Sequence, residues 1–111
     1  MTTIFGRIIR GELPAEVIFE NDQLIAIQDI HPVAPVHILL IPKKEICDFQ
    51  SLTPADYPLL QEIAAAAQQL ALQFGVEEGY RLLTNCGSEA GQTIGHLHFH
   101  LIGGRRLGPM A

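Results

Sequence analysis

Three histidines stand at alternate positions near the end of this 111-residue chain: His96, His98 and His100. Alternate residues of a β-strand point to the same face, so the three imidazoles share one face, with neighbouring Cα atoms roughly 6–7 Å apart. Imidazole titrates near neutral pH, and it can attack an electrophile, transfer a proton or bind a metal ion. The spacing therefore predicts a strand with one reactive face open to a cleft and one apolar face packed on a helix.

Three interpretations of this histidine face compete. A solvent-facing strand that merely uses histidine is disfavoured, because the chain has only five histidines and three of them fall in register here. A zinc site would take two ligands from a His-x-His pair, and it needs a third ligand such as His37 or Glu45. Acid–base or nucleophilic chemistry would let one ring attack while another orients it.

The segment before the histidines favours nucleophilic chemistry. It reads Gly87-Ser88-Glu89-Ala90-Gly91-Gln92-Thr93, which combines glycines with hydroxyl side chains. Backbone N–H groups in such a loop hold an anion through fixed dipoles. A glycine loop alone is a weak signal, but one that leads directly into three in-register histidines is considerably stronger.

The elements that must position these residues form an α+β pattern. Apolar spacing predicts a short helix over residues 3–11 and a long helix from Pro54 to about Phe74, with Thr53 as its cap and Gly75 as its stop. Alternating segments predict strands over residues 16–20, 24–28, 36–41, 81–85 and 96–102. Two helices and about five strands joined by short turns indicate one α+β domain over residues 1–111, with a mainly antiparallel sheet.

Composition limits the class of partner. The chain is 48% hydrophobic and 17% charged, so it can bury a core, and at this length a second copy would help to cover surface. Seven Lys and Arg against twelve Asp and Glu give a formal net charge of -5. This balance argues against an extended nucleic-acid interface and against an anionic membrane surface. A phosphate-bearing partner would have to be held locally, by a few placed groups.

Cysteine usage and hydropathy indicate a cytoplasmic protein. Cys47 and Cys86 lie far apart in the sequence and form no CxxC pair, so neither a disulfide framework nor a zinc knuckle is predicted. Nothing at the N-terminus reads as a signal peptide. Apolar runs such as residues 36–41 are too short to span a bilayer.

The segment His96-Leu97-His98-Phe99-His100-Leu101-Ile102 resembles the motif His-φ-His-φ-His-φ-φ of the histidine triad (HIT) superfamily, where φ is apolar. Further segments resemble its nucleotide-binding Hint branch: residues 3–10, residues 29–37, Ile41-Pro42-Lys43-Lys44 and Gly91-Gln92-Thr93. The resemblance covers nearly the whole chain. It implies a HIT-like fold and a homodimer in which two protomers join their sheets into one.

The resemblance also implies a reaction, the hydrolysis of purine nucleoside phosphoramidates without a cofactor or metal ion. By position, His98 would be the nucleophile that forms a covalent nucleotidyl-histidine. The other implied catalytic residues, which would position the phosphate and handle protons, are His96, His100 and His37. Asn85 and the loop residues Gly91, Gln92 and Thr93 would contact the phosphate or the leaving group.

The resemblance assigns the remaining substrate contacts to one carboxylate and a set of apolar walls. Asp29 would accept hydrogen bonds from the ribose hydroxyls, and its alternative interpretation is a turn residue before Pro32. The purine slot would be lined by Ile4, Phe5, Ile8, Ile27 and Ile30. Without the resemblance, each of these apolar residues would be assigned to plain core.

Two departures from the family pattern weigh against zinc binding or a proton relay at one position and bear on the choice of leaving group. Glu45 stands where many Hint relatives carry another histidine, and residues 107–111 lack the tryptophan that is common in the C-terminal tail of this branch. The alternatives are a dinucleoside polyphosphate hydrolase of the same superfamily, a nucleotide-binding regulatory module with slow turnover, and a metal-binding protein that uses the histidine face.

Overall fold

The computed structural model describes residues 3–111, which form a five-stranded antiparallel sheet with one helix on each face. Helix α1 spans Ile4–Ile9 and helix α2 spans Tyr57–Gln73. The strands are β1 (Val17–Glu20), β2 (Leu24–Gln28), β3 (Val36–Pro42), β4 (Tyr80–Leu83) and β5 (Phe99–Gly103). Single 3-10 turns occur at Phe49–Ser51, Pro54–Asp56 and Ser88–Ala90. The predicted α+β class, the five strands and the short and long helices are confirmed.

The strand order is β1-β2-β3-β5-β4, and each neighbouring pair is antiparallel. Strand β5 therefore lies between β3 and β4 and is hydrogen-bonded on both sides. In the β3–β5 ladder, His37 faces Ile102 and Leu39 faces His100. Because residues two apart share a face, His37 and His100 are diagonal neighbours on one side of the sheet.

The two faces of the sheet carry different layers. Helix α2 covers one face, where Leu24, Leu40 and Leu101 are completely buried. Phe5 of helix α1 packs on the other face, against a second apolar cluster formed by Ile25, Ile27, Leu39 and Ile41. The histidine side of β5 belongs to this second face, so α1 and the histidines share one layer. In residues 3–111, neither helix combines the length and the apolar character needed to cross a membrane.

The long helix was predicted to begin at Pro54, but residues Pro54–Asp56 form a separate 3-10 turn and α2 begins at Tyr57. The buried Asp56 carboxylate accepts hydrogen bonds from the Thr53 backbone N–H and hydroxyl, and from the Lys44 ammonium group. These bonds fix the start of α2 next to the end of β3. The predicted stop is confirmed: Gly75 adopts φ +71, and the Val76 N–H donates to the Ala71 carbonyl.

The strand predicted over residues 96–102 was wrong at its start, since β5 begins only at Phe99. Before that residue, the Leu97 N–H donates to the Ile46 carbonyl at 2.6 Å. The His98 carbonyl accepts from the Thr84 hydroxyl at 2.7 Å. Backbone groups satisfied in this way are not available to a ladder, so β4 also ends at Leu83 rather than at residue 85.

Candidate active site

A cavity of about 580 Å³ lies on the α1 side of the sheet, beside the histidines. All five predicted apolar wall residues line it, together with four of the predicted polar residues: Asp29, Thr93, His98 and His100. Helix α1 supplies one wall, because its residues Ile4, Phe5 and Ile8 recur at helical spacing. The result is a largely apolar slot with a few polar groups at one end, which is the usual form of a small-molecule site.

His98 has the hydrogen bonding that a nucleophile requires. Its Nδ1 lies 2.8 Å from the His96 carbonyl oxygen. A carbonyl only accepts, so Nδ1 carries the proton and Nε2 carries the lone pair. Burial lowers the pKa of His98, although the His96 carbonyl opposes the shift. The ring is therefore neutral near pH 7, and it packs edge-on against the Phe5 ring at 4.8 Å between centroids.

His96 does not open into the cavity, contrary to the prediction of one shared histidine face. Its side chain is buried, and its Nε2 lies 2.8 Å from the Pro42 carbonyl oxygen, to which it must donate. Its Nδ1 then accepts from the Thr3 hydroxyl at 3.5 Å. With both nitrogens engaged inside the protein, His96 supports His98 through its backbone carbonyl rather than by reaching the cavity.

His37 and His100 form a pair whose tautomers are set by the backbone. The Val33 N–H donates to His37 Nδ1 at 3.1 Å, so the ring proton of His37 lies on Nε2. That nitrogen is 2.9 Å from His100 Nδ1 and 3.3 Å from Asp29 Oδ2. Since His100 Nδ1 accepts, its own proton lies on Nε2, on a ring that lines the cavity. His100 can therefore donate a hydrogen bond to a bound phosphate oxygen.

Burial keeps this histidine pair uncharged near neutral pH. It lowers the pKa of His37, although the Asp29 carboxylate raises it. Burial, followed by the neighbouring His98 and His37, lowers the pKa of His100 to about 4. The site thus offers N–H donors and one lone pair without a permanent positive charge.

One group of side chains has the donor set of a metal site. Ligand atoms of Asp29, His37 and His100 all lie within 4.8 Å of one another. The sequence offered His37 or Glu45 as the third ligand of a metal site. His37 belongs to this group of three, whereas Glu45 is exposed and lies 4.0 Å from the Arg10 guanidinium. The same three groups can hold a cation or share a proton.

The glycine loop is built around the side chain of Gln92. The Gly87 N–H donates to Gln92 Oε1 at 2.8 Å. The Gln92 amide nitrogen donates in turn to the carbonyls of Cys47 and Ile94. Gly91 adopts φ +90, and a Cβ there would lie 3.2 Å from Asn85 Nδ2. Gly91, Gln92 and Asn85 thus shape the loop, and Thr93 is the predicted loop residue that reaches the cavity lining.

Sequence reasoning missed several residues of the cavity. Leu39 and Ile94 add to its apolar wall, and Gln28 and His31 add polar groups. A usable signal existed for Leu39, because it lies two positions after His37 along β3, which places both side chains on one face. No comparable signal marked the others, because they reach the cavity through loops and strand ends.

The chain is similar to proteins of one family. The sequence model of the HIT domain matches residues 10–107. A HIT-like protein of Chlamydia pneumoniae is 48% identical over 109 residues, which cover 98% of this chain and 99% of that protein. The crystal structure of a HIT family hydrolase from Legionella pneumophila aligns with TM-score 0.94 and 42% identity over 96% of both chains. A histidine triad nucleotide-binding protein from Candida albicans aligns with TM-score 0.82 and 29% identity, over 99% of this chain and 86% of that one.

The buried histidines predict a loss of stability in mild acid. His37, His98 and His100 each have a folded pKa below the ordinary value of 6.5, so the unfolded chain binds more protons once the pH falls below about 6.5. The contribution of these histidines to the free energy of unfolding is fully present above that pH and is lost as the pH falls towards 4. For His100 alone the loss is up to about 3 kcal/mol. Urea denaturation between pH 7 and 5, where most carboxylates stay ionised, measures the slope.

The matched variant is His100→Gln, which keeps a polar side chain but cannot titrate. It is expected to have a flatter dependence of unfolding free energy on pH than the natural chain. Equal slopes for the two proteins would contradict the assignment of a depressed pKa to His100.

Proposed function

This chain belongs to the HIT family, and we propose on that basis that it is a nucleoside phosphoramidase, cleaving the P–N bond between a purine nucleoside monophosphate and an amine. The observation that carries the proposal is the His98 ring, neutral at pH 7, with its lone pair on Nε2 and its face on an apolar cavity. The Legionella hydrolase and the Candida nucleotide-binding protein support a hydrolytic function on nucleotides.

The proposed reaction proceeds by two displacements at phosphorus. His98 Nε2 attacks the α-phosphorus, the amine nitrogen takes up a proton from solvent, the P–N bond breaks, and the amine leaves. The adduct leaves His98 positively charged, with its Nδ1 proton held by the His96 carbonyl, which stabilises that charge. Water then attacks the phosphorus and gives one proton back to solvent, while the bond between phosphorus and His98 Nε2 breaks. The products are the nucleoside monophosphate and neutral His98. A protonated amine is a good leaving group, so the step needs no metal ion.

The other polar residues have roles that fit their positions. His100 Nε2–H and the Thr93 hydroxyl donate to phosphate oxygens from the cavity wall. His37 holds His100 in the donor tautomer. The Asp29 carboxylate accepts from the His31 backbone N–H at 2.8 Å, which leaves lone pairs for the ribose hydroxyls. The apolar walls then take the purine ring.

We also propose that the protein works as a cytoplasmic homodimer, without a nucleic-acid or membrane partner. Both cysteines are free, which fits a reducing compartment. Strand β4 lies at an edge of the sheet, so one of its sides has no partner strand within residues 3–111. Its Leu82 is exposed, as is Leu72 of α2. A second copy that extends the sheet at β4 would satisfy the edge and cover apolar surface.

Removal of the His98 ring is expected to lower kcat for a fluorogenic adenosine phosphoramidate by roughly a thousandfold or more. The better variant is His98→Asn, because the Asn amide can still donate to the His96 carbonyl and preserve the local backbone. Stopped reactions of the natural enzyme should also yield a nucleotidyl adduct, which mass spectrometry should map to His98.

Three controls separate the alternative functions. Activity that is lost on chelation would overturn the metal-free mechanism and favour a metal bound to the Asp29, His37 and His100 cluster. Faster cleavage of a dinucleoside polyphosphate than of the phosphoramidate would favour a dinucleoside polyphosphate hydrolase. Tight binding of AMP with no turnover of either compound would favour the regulatory module.

Asp29→Asn is expected to weaken AMP binding by about tenfold or more, because a charged acceptor of ribose hydroxyl hydrogen bonds is lost. The natural protein should bind AMP more tightly than 2′,3′-dideoxy-AMP, and the variant should bind the two nearly equally. Isothermal titration calorimetry measures both affinities. A preference for the ribose hydroxyls that survives in Asp29→Asn would show that another group reads the sugar.

Sedimentation equilibrium is expected to give the mass of two chains. Leu82→Glu places a charge on the edge strand β4 and should shift the equilibrium towards one chain. Val17→Glu, at an exposed position on β1 at the opposite edge of the sheet, should not. A single-chain mass for the natural protein would refute the dimer without bearing on the chemistry of His98.

A further inference from the structure

The loop between β2 and β3 positions His37, and that loop has few attachments of its own. Pro32 and Pro35 have no N–H group, so they contribute no backbone donors. The His31 N–H donates to the Asp29 carboxylate. The Val33 N–H is the donor that reaches His37 Nδ1. The placement of the Val33 backbone therefore determines which group His37 Nδ1 faces.

The segment that follows β5 holds this loop from outside. Arg105 donates from Nη2 to the Val33 carbonyl oxygen at 2.7 Å, a charge-assisted hydrogen bond. Its Nη1 also donates to the Arg106 carbonyl, which fixes the direction of the guanidinium group. Beside it, Gly104 adopts φ +96 and lies so close to Pro35 that a Cβ would come within 3.0 Å of the proline Cβ. The chain after β5 is thus packed directly on the loop.

These contacts form one continuous connection to the histidine pair. Arg105 binds the carbonyl of Val33, and the N–H of the same residue binds His37 Nδ1 at 3.1 Å. His37 Nε2 in turn lies 2.9 Å from His100 Nδ1. We propose that Arg105 is a positioning residue: it holds Val33 in place, and through Val33 it keeps His37 in the tautomer that orients His100. The kinetic part of this inference rests on the proposed function, whereas the structural part does not.

The physical effect is on the tautomer and the orientation of His37. A ring nitrogen that faces an N–H group must accept, so the Val33 contact keeps the single ring proton of neutral His37 on Nε2. That proton is the one directed towards His100 Nδ1. If Val33 moves away, water can donate to or accept from His37 Nδ1, and the ring proton is no longer confined to Nε2.

The test compares Arg105→Ala with Arg105→Lys and with the matched control Arg106→Ala. Arg106 accepts a hydrogen bond from Arg105 through its backbone carbonyl, which Arg106→Ala keeps. This control removes one positive charge, as Arg105→Ala does. Two measurements are made on each full-length variant. Nitrogen-15 NMR of the histidine rings at neutral pH reports the tautomer of His37, and steady-state kinetics with the adenosine phosphoramidate reports kcat and KM.

Arg105→Ala is expected to lower the share of His37 rings that carry the proton on Nε2, and to lower kcat about three- to tenfold at unchanged KM, the size expected from one lost hydrogen bond. Arg105→Lys should restore part of the natural behaviour, because its ammonium group can still donate to the Val33 carbonyl. Arg106→Ala should behave like the natural protein.

An unchanged His37 tautomer in Arg105→Ala would overturn the inference, even if activity fell. Equal changes in Arg105→Ala and Arg106→Ala would also overturn it, since they would show an effect of net charge alone. If the natural enzyme does not cleave the phosphoramidate, the proposed function fails, but the NMR measurement still decides whether Arg105 controls the tautomer of His37.

Discussion

Buried imidazole nitrogens need hydrogen-bond partners, and this requirement fixes most of the active site. Within residues 3–111, no buried side-chain nitrogen or oxygen lacks a partner. Three of the decisive partners are backbone groups: the carbonyls of His96 and Pro42, which only accept, and the N–H of Val33, which only donates. A partner with one possible role leaves the imidazole one tautomer. The scaffold therefore sets the protonation pattern of the histidines before any substrate binds.

The sheet supplies the rigidity that such a pattern requires. Strand β5 is paired on both sides, so His100 is held on a central strand, next to His37 on β3. His98 lies just before the ladder begins, and the Thr84 hydroxyl donates a hydrogen bond to its carbonyl oxygen. This early departure from strand geometry lets His96 turn into the protein while His98 still lines the cavity. Catalytic groups held on or beside central strands keep their geometry better than groups on free loops.

Burial also accounts for how an acidic chain can hold a phosphate group. A net charge of -5 is unsuited to a polyanion, which needs many phosphates neutralised at once. One α-phosphate needs only a few oriented N–H and O–H dipoles, and these act strongly where water is excluded. The same exclusion of water lowers the pKa of His98 and of His100, so the ring that we propose as the nucleophile is unprotonated at neutral pH. Desolvation would thus favour both the proposed nucleophile and the binding of one phosphate.

Periodicity, capping residues and motif spacing are local properties of the chain, so the α+β class, the antiparallel sheet, the ends of the long helix near Thr53 and Gly75, and the family could all be predicted from the sequence. The same patterns pointed to Asp29, His98 and His100, which line one cavity, and to His37, which contacts His100. The inward position of His96 and the contact of Arg105 with Val33 could not be predicted in this way. Each depends on a hydrogen bond between residues that are distant in the sequence: His96 and Pro42 are 54 positions apart, and Arg105 and Val33 are 72 positions apart. Alternation along a single strand carries no information about such contacts.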